Sequence, residues 1–188
     1  MNMSWFRFCI LFIMLGMLSA CQAVLILHPM GDEPLALDTQ AWQGSWHNGE
    51  IVVLTTIVNP ETGELQATWL ERKQDGVVKE TVAGQVRRTG EWVFLNMPHQ
   101  TKQPDSNEEK QRYFWARLRL DGNRAVLWWP NIEAFEAAVR EGRLPGEITA
   151  DDEIMLGELT GEHVRMINAT GSPFLEWTEP MVFVRINE

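Results

Sequence analysis

The sequence predicts a mainly β protein, an antiparallel meander closing into a small barrel, with one or two short α-helices in its C-terminal half. Three observations carry that expectation. From Trp42 onward, short runs of alternating apolar and polar residues recur, the period-two pattern of half-buried strands. Compact turn sequences separate the runs: Asn59-Pro60-Glu61-Thr62-Gly63, Asp75-Gly76, Thr89-Gly90 and Asp121-Gly122-Asn123. Late in the chain, two stretches switch to helical spacing between legible caps.

The strands follow in order. Glu50 to Val58 is rich in Val, Ile and Thr, and after the turn at 59–63 Leu65, Ala67 and Trp69 fall on one face opposite Glu64, Gln66 and Thr68. Val77 to Arg87 and Glu91 to Met97 continue the meander. Pro98 to Lys110 interrupts it as a polar loop. Arg112 to Leu120 then resumes the alternation, with Phe114, Ala116, Leu118 and Leu120 on one face and Trp115, Arg117 and Arg119 on the other. Ala125 to Trp129 makes a sixth strand, and Met181 to Ile186 closes the chain after Pro180.

For the first helix, Asn131 is the expected N-cap, Ile132, Phe135 and Val139 share a face, and Gly142 can end it in a left-handed conformation. For the second, Gly161 to Ala169, Thr160 is the N-cap, Leu159 and Val164 form a hydrophobic staple, and Gly171 ends it. Glu147 to Ala150 and Ile154 to Glu158 are short strand candidates between them.

The N-terminus has a different character. Arg7 precedes an apolar run, Phe8 to Leu18, then Leu18-Ser19-Ala20-Cys21, the build of a secretory leader. Leu-Ser-Ala-Cys resembles the lipobox of bacterial lipoproteins. That resemblance implies cleavage after residue 20, a diacylglyceryl group on Cys21, and a lipid-anchored body in the cell envelope. With Gln22 rather than aspartate next, it implies the outer membrane, facing the periplasm. A second reading stands beside it: Phe8 to Leu27 is free of charge and long enough to span a bilayer as an uncleaved signal anchor. Either way Arg7 stays cytoplasmic and the body lies outside the inner membrane. The expected organisation is a leader over 1–20, a lipidated N-terminus and tether over 21–41, and a barrel domain over 42–188. The tether rests on Pro29, Gly31, Pro34 and the lack of any period from His28 to Gln40.

Composition narrows function. The formal charge is −10, and losing the leader removes Arg7 and no acid, so nucleic acid is a poor partner. The only cysteines are Cys9, in the leader, and Cys21, so the body holds no disulfide and depends on burial. Every tryptophan except Trp5 lies in that body, and each can bury about 150–250 Å².

Within the barrel, Gly44-Ser45-Trp46 resembles the Gly-x-Trp signature of lipocalins and their calycin relatives. In that family the tryptophan plugs one barrel end and an arginine from the last strand stacks on it, which implies structural roles for Gly44, Trp46 and Arg185. The Thr-Asp-Tyr signature of the family is absent. The C-terminal half, through Phe114-Trp115-Ala116-Arg117 and Pro180 to Arg185, is also similar to uncharacterised bacterial envelope lipoproteins.

Residue chemistry points away from catalysis. Ser45, Ser106 and Ser172 lie in no nucleophile elbow, and no catalytic residue is assigned. His28, His47, His99 and His163 are scattered without ligand spacing, and Asp151-Asp152-Glu153 lacks the spaced oxygens of a calcium loop, so no metal or cofactor is expected. Asn168-Ala169-Thr170 fits a glycosylation acceptor by coincidence. Three functions stay open: a barrel holding a small hydrophobic ligand, lined by Trp69, Trp92 and Trp115; an interaction module presenting Trp128, Trp129 and Phe135 to an envelope partner; and an enzyme on an envelope polymer or lipid.

Overall fold

The computed structural model describes residues 22–49, 51–73, 76–99 and 111–186, and within them the side chains of all but 51–55 and 69–78. The leader and Cys21 lie outside the described residues. The strands are β1 (Val24–Ile26), β2 (Glu33–Pro34), β3 (Gly44–His47), β4 (Ile51–Asn59), β5 (Glu64–Lys73), β6 (Gly76–Thr89), β7 (Trp92–His99), β8 (Arg112–Asp121), β9 (Arg124–Trp128), β10 (Gly146–Ile148), β11 (Ile154–Leu156) and β12 (Met181–Arg185). The helices are α1 (Thr39–Trp42), α2 (Ile132–Arg140) and α3 (Gly161–Asn168).

Eight strands close an antiparallel barrel in the order β8-β7-β6-β5-β4-β3-β12-β9, with β9 returning to β8. Closure satisfies the backbone groups that an open sheet would leave at its edges. The meander from β4 to β9 follows the alternation seen in the sequence, and β12 completes the wall by pairing with both β3 and β9.

Strand β8 is long enough to serve two sheets. One edge pairs with β7 along Arg112 to Leu118. The other edge is divided: Arg117 to Asp121 pairs with β9 and shuts the barrel, while Tyr113 and Phe114 pair with β1. Beyond β1 come β11, in parallel, and β10. Parallel strands buried on both faces read as continuous apolar runs, and Val24, Leu25 and Ile26 are all buried. Their apolar character therefore belongs to a sheet, not to the end of a membrane span. Among the described residues no helix is long and apolar enough to cross a membrane.

The extension sheet and the outer face of β7 and β8 are covered by α2, α3 and the segment before β12, forming a second core around Phe94, Trp115, Phe135 and Phe174. Both helices begin as their sequences dictate. Asn131 accepts from the Ala134 amide at 2.9 Å, and Gly142 follows α2 at φ 70°. Thr160 accepts from the His163 amide, and the His163 ring accepts the Thr160 amide in return. Asn168 is 1% exposed and bonded to the Val164 carbonyl, which removes it as a glycosylation acceptor.

The expected tether over 28–40 is overturned. That segment is part of the barrel: Leu37 is buried among its interior residues, Leu35 and Trp42 pack there, and β2 pairs with β6. Its hydrogen bonds run to remote partners, which is why no local period betrayed it. Asn96, fully buried on β7, accepts the Met30 amide at 2.6 Å and donates to the Met30 carbonyl at 3.0 Å, acting as one residue of a neighbouring strand. Arg87 donates to the Gly31 and Asp32 carbonyls, each at 2.9 Å.

Candidate ligand cavity

Alternation places one set of side chains from every barrel strand in the interior. Leu65 and Ala67 on β5, Leu95 and Met97 on β7, Leu118 and Leu120 on β8, Ala125 and Leu127 on β9, and Met181 and Phe183 on β12 face a common space. Thr56, Val82, Trp42, Trp46 and Trp129 complete the described lining. They leave about 350 Å³ unfilled. Small side chains at Ala67 and Ala125 are one reason: neither reaches far enough to fill the width of an eight-stranded barrel.

The cavity surface is almost wholly apolar, and among these lining side chains Thr56 alone carries a hydroxyl, which is engaged. It donates to the Trp42 carbonyl at 2.6 Å and accepts from the Gly44 amide at 3.0 Å. This bond holds α1 to the start of β3 across one end of the barrel.

The same end carries Trp46 and Arg185. The guanidinium lies 4.9 Å from the Trp46 ring centroid, a cation–π contact contributing about 0.5–2 kcal/mol. Its Nη2 also lies 2.9, 2.8 and 2.7 Å from the Gln40, Ala41 and Gln43 carbonyls, the acceptors that α1 leaves at its C-terminal end. Gly44 has φ 153°, and a Cβ there would stand 3.3 Å from Arg185 Nε, so glycine both permits the backbone and admits the arginine.

Two of the three tryptophans expected to line the ligand space are elsewhere. Trp115 is 1% exposed and sits in the second core, edge-on to Phe94 and Phe135 at 6.2 and 5.8 Å. Trp92 packs against that core too. Trp69 stands in β5 opposite Val53 and Glu80, and its side chain lies outside the described residues. The lining aromatics that the sequence reading did not assign to a ligand are Trp42, Trp46, Trp129 and Phe183. A signal for the exclusion of Trp115 existed: it alternates with Ala116, Leu118 and Leu120, so it cannot share their face.

The proposed patch of Trp128, Trp129 and Phe135 is likewise overturned. Phe135 is 0% exposed between Trp115 and Phe174. Trp128 packs on Trp177 at 5.5 Å, with Arg117 over both rings, and Trp129 turns to the cavity. Burial lowers the Arg117 pKa, opposed by Glu91 and reinforced by Arg119. Its NH1 donates to the Asn168 carbonyl at 3.0 Å, tying the end of α3 to the barrel wall.

Glu153, in the acidic turn, pairs with Arg112 at 3.3 Å and lies 3.9 Å from His99 Nε2. No grouping of His, Cys, Asp or Glu suited to a metal occurs among the described residues. Compared with family models, curated proteins and solved structures, the chain matches none.

Proposed function

We propose that this chain is a lipid-anchored envelope lipoprotein whose barrel binds a small apolar molecule. The observation that carries the binding reading is the cavity: protein interiors are packed with few voids larger than a water, yet about 350 Å³ stays open here inside a closed wall. That volume falls within the range of small-molecule pockets, about 300–1,000 Å³. Dispersal of Trp128, Trp129 and Phe135 removes the particular surface on which an interaction module was expected. The described lining contains no carboxylate, histidine or serine to act as acid, base or nucleophile, so binding is favoured over chemistry.

The anchor reading rests on Leu18-Ser19-Ala20-Cys21 and the apolar run before it. The body begins at once after it: the Ala23 carbonyl already accepts the Ile154 amide at 2.8 Å.

Two measurements test the proposal. Mass spectrometry of protein purified from membranes is expected to find a diacylglyceryl group on Cys21 and no residues 1–20; an intact leader with a free thiol rejects the anchor. A neutral naphthylamine dye is expected to bind saturably at one site with energy transfer from tryptophan. Ala125→Phe fills the cavity and abolishes that binding while keeping the thermal midpoint within a few degrees. Undiminished dye binding in that variant rejects the cavity as the site.

A further inference from the structure

We infer that the molecule held in the barrel is an uncharged hydrocarbon of about a dozen carbons, carried without a carboxylate or ammonium inside. This rests on the cavity reading above and deepens it to a ligand class.

The first observation is the lining. Its surface is almost wholly apolar, and the one hydroxyl among its described side chains, on Thr56, already donates to Trp42 and accepts from Gly44. A ligand carboxylate in this space would lose its water and meet a surface whose described side chains bring no cation and almost no polar atoms, the indole N–H groups of Trp42, Trp46 and Trp129 included. Burying an unpaired charge is so unfavourable that such groups neutralise instead.

The second observation is where the closest candidate cation has gone. Arg185 stands at the closed end, beside the lining residue Trp46, where an internal carboxylate would seek it. Its guanidinium lies on the Trp46 ring, and its Nη2 is committed to three carbonyls at the end of α1. Its Nε has no hydrogen-bond partner among the described residues, but it is pressed against Gly44, where even a methyl-sized Cβ would come within 3.3 Å. The charge serves the wall and is closed to the interior.

The third observation is size. A water occupies about 30 Å³ of liquid and a methylene a similar volume, so 350 Å³ accommodates about twelve carbons. Trp42, Trp46, Trp129 and Phe183 add aromatic surface to the lining that such a chain would meet.

The test uses acylated protein in lipid nanodiscs, with empty discs subtracted, and displacement of the neutral dye by three series of straight-chain probes from 6 to 16 carbons: 1-alkanols, alkanoates at pH 8, and the methyl esters of those acids. The alkanols are expected to gain about fourfold in affinity per methylene, the equivalent of about 0.8 kcal/mol, and to level off near twelve carbons. Alkanoates of equal length are expected to bind at least tenfold more weakly, and their methyl esters to recover that loss. Alkanoates that match or exceed the alkanols, or an affinity still climbing at sixteen carbons, overturn the inference while leaving a binding cavity in place. Absence of saturable dye binding, with no displacement by any probe, overturns the cavity reading itself.

Discussion

The two faces of β8 carry two cores built on opposite principles. Trp115 and Arg117 point outward to a layer under α2 and α3, where Phe94, Trp115, Phe135 and Phe174 meet ring to ring at 4.9 to 6.2 Å. Ala116, Leu118 and Leu120 point inward to a barrel whose apolar lining leaves space open. One strand thus divides support from capacity. On β8 the large ring of Trp115 went where helices could close over it, and the smaller Ala116, Leu118 and Leu120 were left facing the volume a guest can use.

Truncation should expose that division most sharply in the filled core. Phe135→Ala removes a ring lodged between Trp115 and Phe174 and is expected to cost about 3–5 kcal/mol, lowering the thermal midpoint by about 10 °C, with dye affinity of the folded fraction unchanged. A loss of affinity without a loss of stability would mean the two cores are not separate.

Next in size is the seam holding the N-terminal strap to the barrel. Asn96→Leu leaves the Met30 amide and carbonyl buried without their partner, at an expected cost of about 2–4 kcal/mol. Amide exchange should quicken over Met30 to Leu37 more than over α2. Uniform acceleration would instead mark the strap as inseparable from global unfolding.

The smallest effect is expected at the plugged end. Arg185→Met keeps a long stem on Trp46 but loses the cation–π contact and the bonds to α1, for about 1–2 kcal/mol. Dye should then enter and leave several-fold faster by stopped-flow at little change in equilibrium affinity. Unaltered rates would show that ligand exchange does not use this end.

Much of the fold was legible because its determinants are local. Alternation marked the walls of the barrel, glycine-containing turns marked the reversals, and Asn131 and Thr160 announced α2 and α3 through bonds reaching only three residues along the chain. The candidate site was less legible. Trp115 and Trp92 were expected inside because they are large and aromatic, whereas the structure has a second layer outside the barrel that takes them. Val24 to Ile26 read as the tail of an apolar leader because a strand buried on both faces carries no alternation.

By itself, then, the sequence determined the meander strands of the barrel, their turns and the ends of α2 and α3, since each depends on φ/ψ preferences and spacings felt within a few residues. Tertiary structure alone decided which face of β8 would enclose the cavity, and that residues 28–40 would seal the barrel instead of tethering it. Those outcomes depend on partners such as Asn96 and Arg87, more than fifty residues away, whose effect exists only once the chain has closed on itself.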